Sequence, residues 1–133
     1  MIGRKKLISR VLLLLYLAAL LVLCFGHFTS SPDVPKSLWG IPMDKVVHFL
    51  MFLPFPILCF LAFDRYTETP RTSLLFTGIT LAAGLLLALA TEWGQARLTS
   101  YRTGDGWDFL ADAIALTLSS VIVLIWDIRK QKK

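Results

Sequence analysis

The stretch that decides the fold is SLLFTGITLAAGLLLALAT, residues 73–91, which contains no charged side chain. At a helical rise of about 1.5 Å per residue, it is long enough to cross the hydrocarbon core of a bilayer, which is about 30 Å thick. The whole chain has the same character, because 56% of its 133 residues are hydrophobic and only 17% are charged. A soluble domain of this size could not bury so much apolar surface, so the sequence predicts one membrane domain over residues 1–133.

Three further apolar blocks predict three more membrane-spanning helices. The expected spans cover about residues 8–27, 45–63, 73–92 and 107–127, joined by loops near 27–43, 64–72 and 93–105. The first block follows the basic head RKKLISR and could be a signal peptide, but its long apolar core favours an uncleaved anchor. The expected fold class is therefore all-α, a polytopic bundle of four transmembrane helices. Cys24 and Cys59 fall at different depths, which predicts free thiols.

Basic residues give the predicted bundle an orientation. The side of the membrane that holds both chain ends would carry ten of the 14 lysines and arginines, and the other side four. The positive-inside rule then places both termini in the cytoplasm. The tryptophans fall at predicted span ends, where the ring is buried and the N–H stays hydrated: Trp39, Trp93, Trp107 and Trp126. No motif or clustered basic surface indicates nucleic-acid binding.

The outer ends of the last three predicted spans carry polar residues that membrane helices rarely contain. They share a depth: Asp44, Lys45, His48, Glu92, Gln95, Arg102, Asp105, Asp108 and Asp112. Helical spacing puts three sets of them on one face each, namely Asp44 with His48, Glu92 with Gln95, and Asp105 with Asp108 and Asp112. Ionisable groups at membrane depth cost about 2.5–3.5 kcal/mol each on insertion scales and usually pair inside the bundle. We therefore expect one shared polar site at the outer face. The inner ends show only basic flanks and no comparable set.

Each of these residues also has a purely structural interpretation. Asp44 and Asp105 could cap the N-termini of the helices that start there. Lys45 could extend its amine to the membrane interface. His48 and Asp112 fit this interpretation poorly, because they lie too deep in their spans to cap anything.

Two further expectations concern the geometry of the site. Arg102 is expected to bridge Asp108 to an acid on another helix, since a guanidinium can bond two carboxylates and keeps its charge when desolvated. Pro54 and Pro56 remove backbone donors within the second span. They predict a kink that widens the bundle below His48.

Three segments, DKVVHFLMF (44–52), TEWGQ (91–95) and YRTGDGWDFLAD (101–112), resemble the VanZ-like family of small bacterial membrane proteins. That family is named after a protein associated with resistance to the glycopeptide teicoplanin. The resemblance covers about residues 36–128 and rests on an ordered set of positions: Asp44, Lys45, His48, Glu92, Gln95, Arg102 and Asp108. The chain departs from the family pattern at Asp112, where asparagine is usual, and at Ala115, where glycine is common.

The resemblance and the outer polar site together predict a multi-pass protein of the bacterial inner membrane, with no cofactor. Its expected partners are membrane lipids, and a lipid-linked cell-wall precursor or a lipoglycopeptide. By binding such a ligand, the protein would contribute to teicoplanin-type resistance. The alternative is a membrane enzyme acting on a lipid headgroup, with His48, Glu92 and Asp108 as catalytic candidates. In that case Asp105, Asp108 and Asp112 could hold a divalent cation. A structural or partner-binding role without a ligand is the third interpretation.

Overall fold

The computed structural model describes residues 3–25, 37–64, 67–98 and 106–133. Five helices form the structure, namely α1 (Arg4–Phe25), α2 (Met43–Phe52), α3 (Pro54–Phe63), α4 (Pro70–Leu98) and α5 (Gly106–Gln131). Two short antiparallel strands, β1 (Ser37–Leu38) and β2 (Ile41–Pro42), precede α2. With α2 and α3 counted as one span, the described residues contain four segments long and apolar enough to cross a membrane. The prediction of a multi-pass, four-span membrane protein is thereby confirmed.

The four spans alternate in direction, so both chain ends lie at the same end of the bundle. Lys6 in α1 forms an ion pair with Asp64, just after α3. Gln131 at the end of α5 donates a hydrogen bond to the carbonyl of Thr67, which precedes α4 (2.9 Å). We call this the terminus end. The opposite end, which holds the two strands and the starts of α2 and α5, is called the hairpin end.

The second span is divided at Leu53 into α2 and α3, as its prolines predicted. Pro54 and Pro56 have no N–H, so the carbonyls of Leu50 and Phe52 lose their usual helical donors. Leu53 itself keeps helical dihedral angles (φ −56°, ψ −42°) and donates to the carbonyl of Phe49 at 3.1 Å. The division therefore comes from missing backbone donors rather than from a turn between two separate helices.

The third span, α4, is longer than the predicted 73–92. It begins at Pro70, because Thr69 and Thr72 form a reciprocal capping pair: the amide of Thr72 donates to the Thr69 hydroxyl, and the amide of Thr69 to the Thr72 hydroxyl (3.2 and 2.9 Å). It continues to Leu98, through residues predicted to be loop. Glu92 and Gln95 therefore lie on the buried face of a continuing helix.

The segment before α2 forms a β-hairpin, where only a loop was predicted. Trp39 and Gly40 both have positive φ angles (51° and 80°), as a two-residue type I′ turn requires. A tryptophan in this conformation is unusual. Its side chain is 92% exposed at the tip of the turn, at the hairpin end.

The core is a small apolar cluster between the spans, consisting of Leu20, Cys24, Phe52, Phe55, Ala88, Ala115 and Leu116. Gly84 permits a close approach of α4 to its neighbours, since a Cβ atom there would meet Leu116 Cδ2 at 2.7 Å and the Phe55 ring at 3.1 Å. Many leucines, isoleucines and valines point outward instead, as expected of helices whose outer solvent is lipid. Cys24 and Cys59 do not form a disulfide, in agreement with the prediction.

Candidate functional site

Five ionisable side chains from three helices meet at the hairpin end. We call them the polar cluster: Lys45, His48, Glu92, Asp108 and Asp112. As whole residues, the last four are at most 7% exposed, and Asp112 is fully buried. Helix α2 contributes the lysine and the histidine, α4 the glutamate, and α5 the two aspartates. The i, i+4 spacing of Asp108 and Asp112 presents both carboxylates on one helix face, toward α2 and α4.

His48 lies between carboxylates on both sides of its ring. Its Nδ1 atom is 3.1 Å from Asp112 Oδ1, a hydrogen-bond distance, and 3.7 Å from Glu92 Oε1. Its Nε2 atom is 3.4 Å from Asp108 Oδ2. A neutral imidazole carries one N–H and one lone pair, and both nitrogens donate only when it is protonated. The Asp112 contact assigns the N–H to Nδ1 in the neutral form and leaves the Nε2 lone pair facing Asp108.

Lys45 links α2 to α5 through a close ion pair with Asp108. The Nζ atom is 2.6 Å from Asp108 Oδ1, and the two side chains are only 17% and 9% exposed. Among the described side chains of the polar cluster, three carboxylates face one lysine and one histidine. These contacts pair acids with bases across three helices.

The remaining predicted residues are placed as follows. Gln95 is buried and donates to the carbonyl of Cys24 at 2.9 Å, which satisfies an acceptor near the C-terminal end of α1. The side chain of Asp44 and the whole of Arg102 and Asp105 lie outside the described residues. The predicted bridge by Arg102 is therefore not tested. In the described part of the chain, Lys45 links Asp108 to another helix.

A second buried polar group lies at the terminus end, where only basic flanks were predicted. The Ser73 hydroxyl donates to Asp127 Oδ2 at 2.5 Å. The Gln131 amide lies 2.7 Å from Ser73 Oγ and 2.9 Å from the Thr67 carbonyl. Asp127 is only 4% exposed, so this expectation was wrong. These residues stabilise the packing of α4 against α5 at that end.

An apolar groove on the surface of the helix bundle lies beside the polar cluster. It has a volume of about 430 Å³ between α2 and α5, below the hairpin, and it is lined by Trp39, Ile41, Lys45, Val46, Phe49, Ala111 and Ile114. Lys45 belongs to both features, since it lines the groove and pairs with Asp108. The structure thus places an apolar groove and a buried polar site side by side.

Comparison with known proteins gives one distant relative. An uncharacterized protein of the fission yeast Schizosaccharomyces pombe is 28% identical over 132 residues, which cover 98% of this chain and 70% of the yeast protein. No family model matches the chain, and no solved structure matches it significantly. The yeast relative gives no support to a bacterial origin, and the resemblance to the VanZ-like family stays a prediction.

Proposed function

We propose that this multi-pass membrane protein binds an amphiphile, with its acyl chain in the apolar groove and its polar headgroup at the polar cluster. The observation that supports this most directly is the shared position of Lys45, which lines the groove and forms the ion pair with Asp108. A groove of about 430 Å³ falls within the usual size range of small-molecule sites, about 300–1,000 Å³.

A membrane lipid is the ligand that we favour. The groove faces the region that lipid chains occupy, and Ile41 and Ile114 on its rim are about half exposed. Each carboxylate of the polar cluster offers two acceptor oxygens, and Lys45 offers donor hydrogens. These groups could replace the hydrogen bonds that a lipid headgroup makes to water. The yeast relative is eukaryotic, so it does not indicate a ligand found only in the bacterial envelope. This also favours an ordinary membrane lipid.

The orientation of the protein, its membrane and the identity of its ligand are part of the same proposal. We propose that both termini face the cytoplasm, following the distribution of basic residues. The hairpin end, with the groove and the polar cluster, is then at the outer face. In a bacterium this would be the inner membrane, and a lipoglycopeptide of the teicoplanin type or a lipid-linked cell-wall precursor would offer the same combination of a lipid tail and a polar body.

Filling the groove should release the bound lipid. Ala111 is half-buried in the groove wall, and Ala111→Phe would occupy its space. We expect native mass spectrometry from mild detergent to show about tenfold weaker lipid retention than in the wild type, a loss equivalent to about 1.4 kcal/mol. The matched control is Ala90→Phe, at an exposed position of α4, which should retain lipid normally. Equal retention by all three proteins would contradict the proposal.

A membrane enzyme acting on a lipid headgroup is the second candidate. The observation that favours it is the buried imidazole of His48 between Asp112 and Asp108, because a carboxylate on one ring nitrogen orients the other for proton transfer. The two functions differ in what happens to the ligand. A binding protein returns its lipid with unchanged mass after incubation, whereas an enzyme converts the lipid and loses that conversion in a His48→Gln variant.

A further inference from the structure

We propose that His48, Glu92 and Asp108 bind a divalent transition-metal ion, with Asp112 orienting the imidazole. One ligand atom from each of the three residues lies within 4.8 Å of the other two, and all three side chains are buried. They come from α2, α4 and α5, so a bound ion would join three of the four spans. This inference concerns the polar cluster alone and does not depend on lipid binding.

The separation of the ligand atoms suits a metal better than a direct hydrogen bond. His48 Nε2 is 3.4 Å from Asp108 Oδ2, longer than the usual N–H···O range of about 2.7–3.2 Å. Two ligands that are each about 2.1 Å from a tetrahedral ion are separated by about 3.4 Å. One imidazole nitrogen with two carboxylate oxygens is a donor set that Zn²⁺ and Mn²⁺ accept, whereas Ca²⁺ prefers oxygen ligands alone.

Asp112 supplies the partner that metal-binding histidines usually have. Its Oδ1 atom is 3.1 Å from His48 Nδ1, and a carboxylate on that nitrogen fixes the tautomer that leaves Nε2 free to bind a metal. Glu92 Oε1 is nearest to Nδ1, at 3.7 Å, so the Glu92 carboxylate would have to turn toward Nε2 to complete the site. The side chain is fully buried, and its Oδ2 atom has no hydrogen-bond partner among the described residues. It therefore keeps an unused acceptor beside the imidazole, which a metal-bound water could fill.

The ion pair with Lys45 uses only one oxygen of Asp108. Lys45 bonds Asp108 through Oδ1, which leaves Oδ2 toward His48. Oδ2 is therefore the oxygen of Asp108 that would bind an ion held by the imidazole.

The test is a calorimetric titration of the full-length protein in mild detergent, after chelator treatment, with Zn²⁺ and Mn²⁺ and with Ca²⁺ for comparison. We expect one Zn²⁺ or Mn²⁺ per chain and much weaker Ca²⁺ binding. Glu92→Gln keeps the shape of the side chain but removes its charge, and should weaken Zn²⁺ binding at least about tenfold. The matched control, Glu68→Gln, changes an exposed glutamate and should bind as the wild type does.

Two results would overturn the metal site. One is the absence of saturable Zn²⁺ or Mn²⁺ binding by the wild type. The other is equal affinity in the Glu92→Gln and Glu68→Gln variants, which would mean adventitious binding elsewhere. If Glu92→Gln does not fold, His48→Gln replaces it, and the wild-type stoichiometry still decides the question. The titration uses no added lipid, so a failure to bind metal is distinguishable from a failure to retain lipid.

Discussion

Replacing Lys45 by methionine should lower the free energy of unfolding by about 3–5 kcal/mol, because it strands the buried carboxylate of Asp108. The ion pair is 2.6 Å long, with side chains only 17% and 9% exposed. Methionine keeps most of the apolar stem, so the lost charge dominates the effect. The measurement is the free energy of unfolding in mixed detergent micelles, compared with that of the wild type.

The chain offers a matched control for this variant at its other end. Lys6 pairs with Asp64, but these side chains are 31% and 24% exposed, and pairs so open to solvent contribute about 1 kcal/mol or less. Lys6→Met should therefore have a small effect. The double variant Lys45→Met/Asp108→Asn should recover at least half of the loss, because no charge is left stranded. Equal, small effects of both lysine changes would mean that Lys45 only extends to the interface.

Asp112→Leu is expected to destabilise the protein by about 1–3 kcal/mol, the cost of leaving a buried donor without its acceptor. The donor is His48 Nδ1–H, 3.1 Å from Asp112 Oδ1 in a fully buried position. Asp112→Asn keeps an acceptor oxygen at the same place and should change stability by less than about 1 kcal/mol.

Thermal unfolding of the two Asp112 variants in the same detergent shows whether the protein requires Asp112 as a hydrogen-bond acceptor or as a negative charge. If the hydrogen bond to His48 matters, only the leucine variant loses stability. If asparagine and leucine are equally harmful, the negative charge of Asp112 is what the polar cluster requires, and the orienting role proposed for it is wrong.

The four spans could be predicted because their length and apolar character are properties of contiguous sequence. The burial of His48 and Asp112 among the helices agrees with their predicted positions inside the spans. The full extent of α4 could not be predicted, because Gly94 and Arg97 resemble loop residues. The glycine is required by packing instead, since a Cβ there would meet the Phe25 ring at 2.7 Å.

The polar group at the terminus end and the apolar groove could not be predicted from the sequence either. Ser73 and Asp127 are separated by 54 residues, and each alone resembles an ordinary interfacial residue. The groove is lined mainly by apolar side chains such as Val46, Phe49 and Ile114, which have the same composition as any lipid-facing surface. Only the relative placement of α2 and α5 shows that they enclose a space beside Lys45.

The most direct test of the proposed lipid site is photo-crosslinking in reconstituted bilayers, using a phospholipid with a photoactivatable group in its acyl chain. Mass spectrometry of the digested protein maps the adducts. We expect them to concentrate on the groove residues Val46, Phe49 and Ile114, and to decrease there in the Ala111→Phe variant. Adducts that occur as often on Leu86 and Leu89, exposed residues of α4 outside this groove, would contradict a specific acyl-chain site.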